Sequence, residues 1–218
     1  MTVFVNDTMT GAEGTGILSH TGELGATWTV HPSYSQDGSL SNANRLITTT
    51  NTFVYASGIP GSPNYSVDVA FRAASLASNG AITACGRVDT SANTFYGALY
   101  ATGDGSWTLY KLVAGTFTPL AYYGQTLVAG SDYTATLDMV GTTIRLLVDG
   151  VQRASVTDSS ITAAGKAGIR VAYSTNTTGL HIDSVTATDD TAGGGAAEVA
   201  ALCSRYALNA RNAYGLRR

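Results

Sequence analysis

Carboxylates and histidines are where covalent chemistry would begin in this chain, and they are sparse. Retaining hydrolysis of a glycosidic bond needs two carboxylates about 5 Å apart. The chain has only three glutamates, Glu13, Glu23 and Glu198, and none lies in a strand-like run with a second carboxylate at a working spacing. His181-Ile-Asp183 offers one imidazole and one carboxylate on a single strand, and we read it as a hydrogen-bonded structural pair. A Ser-His-Asp hydrolase would need a Gly-x-Ser-x-Gly elbow, and the sequence has none. Of the other histidines, His20 is expected to cap its loop. The chain reads as non-enzymatic, one that binds or builds.

Two binding chemistries remain. Calcium takes loop carboxylates and carbonyls, and Asp89, Asp104 (in Ala-Thr-Gly-Asp-Gly) and the Asp189-Asp190 pair are its candidates. None forms a dense array, and glycine-flanked aspartates are ordinary turn residues. Calcium is therefore an option and no cofactor is required. Sugars are gripped by exposed aromatic faces. Of twelve tyrosines, Tyr96, Tyr100, Tyr122 and Tyr123 are the selected sugar-stacking candidates. Tyr122 and Tyr123 must point to opposite faces if extended, whereas Trp28 and Trp107 read as core. Cys85 reads as a small buried hydrophobe rather than a disulfide partner of the distant Cys203.

The elements that position these residues are strands. Alternating or β-branched runs recur at about ten-residue spacing between Gly, Asn, Asp and Ser turns, as in a sandwich or barrel. They cover 27–31, 45–49, 65–72, 81–88, 94–101, 107–113, 133–140, 143–148, 152–157, 168–173 and 180–186. In 65–71, Tyr65, Val67, Val69 and Phe71 share one side, opposite Ser66, Asp68 and Ala70. In 133–139 the same period of two sets Tyr133, Ala135, Leu137 and Met139 apart. Each of those strands should have one buried and one wet face. Val148-Asp149-Gly150-Val151 predicts a two-residue type I′ hairpin, and Gly141-Thr142 a second turn before it.

Near residue 188 the composition changes. Residues 1–188 are expected to form the sandwich, 189–195 a Gly-rich linker and 196–218 a basic helical tail. Residues 1–198 carry all 15 acids and 8 bases, a net −7, whereas 199–218 carry Arg205, Arg211, Arg217 and Arg218 and no acid. A helix of that length is marginal alone in water, so Val199, Leu202 and Tyr206 with those four arginines form a candidate anchoring surface. Charged residues are only 12% of the chain, about half the usual share. The net charge of −3 gives no reason to expect nucleic acid. No run approaches the roughly 18 apolar residues of a membrane span. MTVFVNDTMTGAEG has neither the basic nor the apolar region of a signal peptide.

Ser19-His20-Thr21, Gly25-Ala26-Thr27-Trp28, Tyr96-Gly-Ala-Leu-Tyr100, Gly105-Ser-Trp107-Thr-Leu-Tyr-Lys111, Val148-Asp-Gly150 and Gly165-Lys-Ala-Gly168 together resemble the concanavalin A-like (LamG-like) sandwich domains of phage and bacterial proteins. The resemblance covers roughly residues 3–188. It implies an all-β fold, a two-sheet antiparallel jelly-roll sandwich, to which the tail adds a short C-terminal α-helix. The family's glucanases carry a Glu-x-Asp-x-x-Glu strand, which is missing here. The resemblance also implies a structural protein on the virion surface of a tailed phage. Such a protein would assemble as a homo-oligomer on a capsid or tail protein and display its sandwich toward host-surface glycans, with no membrane insertion. A free carbohydrate-binding or adhesion module is the alternative. A glycoside hydrolase with an unrecognised site is the third reading.

Overall fold

The computed structural model describes residues 1–34, 38–48, 51–77, 79–172 and 179–190. Strand structure runs to Asp189, the first residue of the expected 189–195 linker; the rest of that linker after 190 and the helical tail expected at 196–218, with Val199, Leu202, Arg205, Tyr206, Arg211, Arg217 and Arg218, lie outside the described residues.

The described residues form a two-sheet antiparallel sandwich. One sheet contains β1 (Thr2–Asp7), β3 (Ser39–Leu40), β4 (Leu46–Ile47), β6 (Tyr65–Ala73), β11 (Ser131–Val140), β12 (Thr143–Val148), β13 (Val151–Thr157) and β15 (Leu180–Asp189). Its order is β13-β12-β11-β6-β15-β4-β3, with β1 also on β15. The other contains β2 (Trp28–Val30), β5 (Thr52–Ala56), β7 (Ala81–Val88), β8 (Phe95–Ala101), β9 (Ser106–Val113), β10 (Thr116–Gly124) and β14 (Lys166–Ala172), in the order β10-β9-β8-β7-β14-β5-β2. Among the described residues one 3₁₀ turn, Ile17–Ser19, interrupts the strands.

The two-residue period holds where it was read. Strand β6 alternates buried and half-buried along its length, and Val67, Val69 and Phe71 face the interior with Leu137 and Met139 of β11. Asp149 and Gly150 have φ of 51° and 75°, the pair of positive angles that a type I′ hairpin requires. Strands β5 and β10 were absent from the sequence reading. Pro119 in β10 is tolerated because β10 is the sheet edge, and a bulge lies between Pro119 and Ala121.

Strand β7 has no wet face, since all eight of its residues are buried. Ile82 and Ala84 belong to the core between the sheets. Cys85 belongs to a second cluster with Phe53, Val88, Phe95, Tyr110 and Leu112. Register places that cluster on the outer side of the seven-stranded sheet, because Cys85 pairs with Gly97, Gly97 with Tyr110, and Phe95 with Leu112.

Buried polar groups tie the sheets together. The Arg87 guanidinium donates to the carbonyls of Pro63 (3.0 Å), Ile161 (2.7 Å) and Gly141 (2.8 Å), holding three loops at one end. Arg87 itself has φ of 51° at a bulge on β7, and its N–H donates to the Tyr65 hydroxyl of the facing sheet. Gly165 must stay a glycine there: its φ is 57°, and a Cβ would lie 2.3 Å from the Arg87 carbonyl carbon.

Candidate functional site

The outer side of the seven-stranded sheet carries a row of aromatic rings. Tyr34 stands edge-on to Phe53 (centroids 5.6 Å), Phe53 meets Phe95 (4.8 Å), Phe95 meets Tyr110 (5.8 Å), and Tyr110 meets Phe117 (4.7 Å). His31 stacks on Phe53 at 4.7 Å, and its Nε2 donates to the carbonyls of Asp89 (2.9 Å) and Ala92 (3.1 Å) while Nδ1 accepts from Ser33. Those bonds fix the tautomer and make His31 a structural support for the row. Phe53, Phe95 and Tyr110 are buried, Tyr34 and Tyr55 half-buried, and Phe117 48% exposed. Backbone geometry makes room for the row: a Cβ on Gly97 would lie 2.5 Å from Tyr110 Cε1.

Arg170 lies on the same side, between Phe53 of β5 and Thr83 of β7 in the register. Its guanidinium carbon is 5.5 Å from the Tyr34 ring centroid, and its side chain reaches the Tyr110 hydroxyl. Tyr122 projects from the far end of the row, 67% exposed and paired with Thr108. Burial pushes both the Cys85 thiol and the Tyr110 hydroxyl well above their ordinary ranges, which removes them as nucleophile and base.

Electrostatically the two sheets differ. The seven strands of this sheet contain Arg87, Lys111, Lys166 and Arg170 and no Asp or Glu. The other sheet's strands contain Asp7, Asp68, Asp132, Asp138, Asp183 and Asp189 against Arg72, Arg145 and Arg153. Its outer face is a lattice of pairs, including Arg72–Asp132 (3.0 Å), Arg145–Asp138, and Asp183 with Arg45 (2.8 Å).

A concavity of about 580 Å³ opens at the end of the sandwich between the β5–β6, β7–β8 and β13–β14 loops. Ile59, Pro60, Val88 and Ile161 line it alongside Thr90 and Lys166. Nearby, Asp158 accepts from Tyr96 (2.6 Å), Lys111 (2.6 Å) and the Ser160 N–H (2.9 Å). Burial works to raise the Asp158 carboxyl, but these bonds outweigh it and hold the group well below the usual carboxylate range. Burial, and then the Asp158 bond, push Tyr96 up to about 12.

The residues selected from the sequence scatter. Tyr96 and Tyr100 point into the inter-sheet core, with at most 1% of their surface exposed, and cannot stack on a sugar. The reason is register: on β8 the outward residues are Phe95, Gly97 and Leu99. Tyr123 closes the sandwich edge under the Arg153 guanidinium (4.9 Å). Tyr122 alone of the four is presented on the outer row. Asp89 and Asp104 lie at opposite ends of β8, roughly 20 Å apart by strand rise. Asp89 Oδ1 accepts from the Ser91 and Ala92 N–H groups as a turn cap. Among the described residues no three His, Cys, Asp or Glu side chains converge as metal ligands. Asp189 accepts from Gly61 N–H and so pins the β5–β6 loop. His20 is more than a loop cap: its Nε2 lies 2.9 Å from the fully buried Asp7. Asp183 pairs with Arg45 at a bulge in β15. Sequence reasoning missed Tyr34, Phe53, Phe95, Phe117 and Arg170. The alternation of Ile169 and Val171 around Arg170 was the signal that places it outward.

This topology is that of the concanavalin A-like jelly rolls. No protein-family model and no curated protein matches the chain. Among solved structures it is similar to a Bacillus licheniformis β-glucanase (TM-score 0.59, 12% identity, covering 87% of this chain and 99% of that one). It is also similar to the exoplasmic/lumenal domain of VIP36 in its Ca²⁺/Man2-bound form (0.58, 11%, 85% and 90%). A third is the carbohydrate-binding module CBM66 from Bacillus subtilis (0.56, 17%, 74% and 90%). At these identities the likeness establishes the fold.

Proposed function

We propose that the chain is a non-catalytic saccharide-binding module and that its ligand lies on the outer side of the seven-stranded sheet. The observation that carries this reading is the pair of exposed rings, Phe117 and Tyr122, at one end of the aromatic row, with half-buried Tyr34 at the other, on a face whose strands contain no carboxylate. Phe117 and Tyr122, with half-buried Tyr34, offer flat apolar area to the C–H face of a sugar, and the Tyr122 hydroxyl offers a hydrogen-bond partner. Retaining hydrolysis needs a carboxylate pair, and the strands of this face supply none. Two of the similar structures are named for carbohydrate binding or a bound mannose ligand. A glycan array carrying neutral and acidic oligosaccharides tests the proposal. Binding that falls at least tenfold in a Phe117→Ala/Tyr122→Ala variant of unchanged melting temperature is expected, and absence of any binder overturns it.

A second reading, a virion structural protein anchored by residues 196–218, is favoured by one observation: the net −7 of residues 1–198 against four arginines and no acid in 199–218. Anchoring by the tail predicts that residues 1–190 no longer co-sediment with the source particle while the full chain does. Equal co-sedimentation would remove this reading.

A further inference from the structure

We infer that the saccharide taken by the outer face of the seven-stranded sheet is acidic, and that Arg170 is the group that selects its carboxylate or sulfate. The inference rests on the binding reading above and adds the ligand's class. Its starting point is how each arginine of the sandwich uses its donors. Arg45, Arg72 and Arg145 face aspartates. Arg87 has no acidic partner, yet three backbone carbonyls accept from Nε, Nη1 and Nη2. Arg153 sits over Tyr123 at the sandwich edge, away from the row. Arg170 shares an acceptor-free Nε with Arg153 but differs in its place. It stands in the middle of the aromatic row, half-buried, its Nε has no acceptor, and its neighbours are the Tyr34 ring face and the Tyr110 hydroxyl.

A guanidinium withdrawn from water without a counter-charge is costly, and a planar fork of donors fits a carboxylate or sulfate in two parallel bonds. The rings around it lower the local dielectric and strengthen that pairing. No carboxylate on any strand of the sheet competes for the guanidinium. Asp89 and Asp104 lie on turns of this sheet, and Asp89 Oδ1 is already taken by the Ser91 and Ala92 N–H groups; most other described aspartates lie on the opposite sheet and its turns. An aspartate farther off than a Debye length, about 8 Å at physiological salt, repels an anion on this face weakly. The accessible rings of Tyr34, Phe117 and Tyr122 then hold the sugar while Arg170 reads the charge.

Two matched probe pairs test this by calorimetry on the full chain: oligogalacturonides against their methyl esters, and dextran sulfate oligomers against dextran. The expected result is that at least one acidic member binds about tenfold or more tightly than its neutral counterpart. The preference weakens as salt rises, disappears in Arg170→Gln, and survives in part in Arg170→Lys. Arg170→Gln should keep the wild-type melting temperature, which separates a lost anion contact from a collapsed face. Equal affinity within both pairs, or a preference unchanged in Arg170→Gln, overturns the inference while leaving saccharide binding intact. Failure of all four probes, together with an empty glycan array, overturns the binding reading as well.

Discussion

Trp28 Nε1 donates to Asp7 Oδ2 at 2.6 Å, joining β2 of one sheet to β1 of the other inside the core. The same carboxylate accepts from the Met9 N–H (2.7 Å) and pairs with His20 Nε2, and nothing of Asp7 reaches solvent. Replacing it strands three buried donors, each worth about 1–3 kcal/mol when left unpaired. Asp7→Ala should therefore cost about 3 kcal/mol or more in urea unfolding followed by Trp fluorescence. A loss under 1 kcal/mol would show that the cluster does not hold the sheets together.

Arg87 is the second such tie. Arg87→Met keeps much of the volume and removes the donors to Pro63, Gly141 and Ile161. We expect a loss of about 3 kcal/mol, with faster amide exchange confined to the loops around residues 63, 141 and 161. Arg87→Lys should recover little, since one ammonium cannot reach three diverging carbonyls.

Gly97 connects packing to binding. A methyl group there must displace the Tyr110 ring, which is held between Phe95 and Phe117. Gly97→Ala should lose about 1–3 kcal/mol, and saccharide affinity should fall with it because the Tyr110–Phe117 contact shifts. A variant that is destabilised but binds normally would place the ligand elsewhere.

Asp158 sets an acid-side signature. Its carboxyl is depressed in the fold, so the folded state binds the proton less readily than the unfolded chain does. The stabilisation is complete above the ordinary Asp range near about pH 4 and is lost as pH falls below it toward the depressed folded value. Unfolding curves of wild type and Asp158→Asn should accordingly lie furthest apart at neutral pH and converge between about pH 4 and pH 2. Other carboxylates, such as the raised Asp68, cancel in that difference. Parallel curves would mean that the Lys111–Asp158–Tyr96 network adds nothing.

Much of the sandwich was legible because strands such as β6 and β11 bury one face and leave a clean alternation. Strand β8 shows where legibility ends. Phe95 and Tyr96 are equally buried, one outside the sheet and one inside. Local pattern cannot distinguish them until the partner strands fix the register, so Tyr96 and Tyr100 looked as available as Tyr122. Strand β5 was hidden among the Thr and Asn residues around it, and with it Phe53, the ring that links Tyr34 to Phe95. Each charge was visible in the sequence, but their segregation by sheet was not, because it depends on which strands become neighbours.

The most direct test is an amide-resolved NMR titration of the chain with the tightest-binding array glycan. Shifts concentrated at residues 34, 55, 110, 117, 122 and 170 are expected. Shifts confined to the end concavity around Ile59, Thr90 and Ile161, or to the ion-paired face of the eight-stranded sheet, would place the ligand elsewhere and overturn the proposed site.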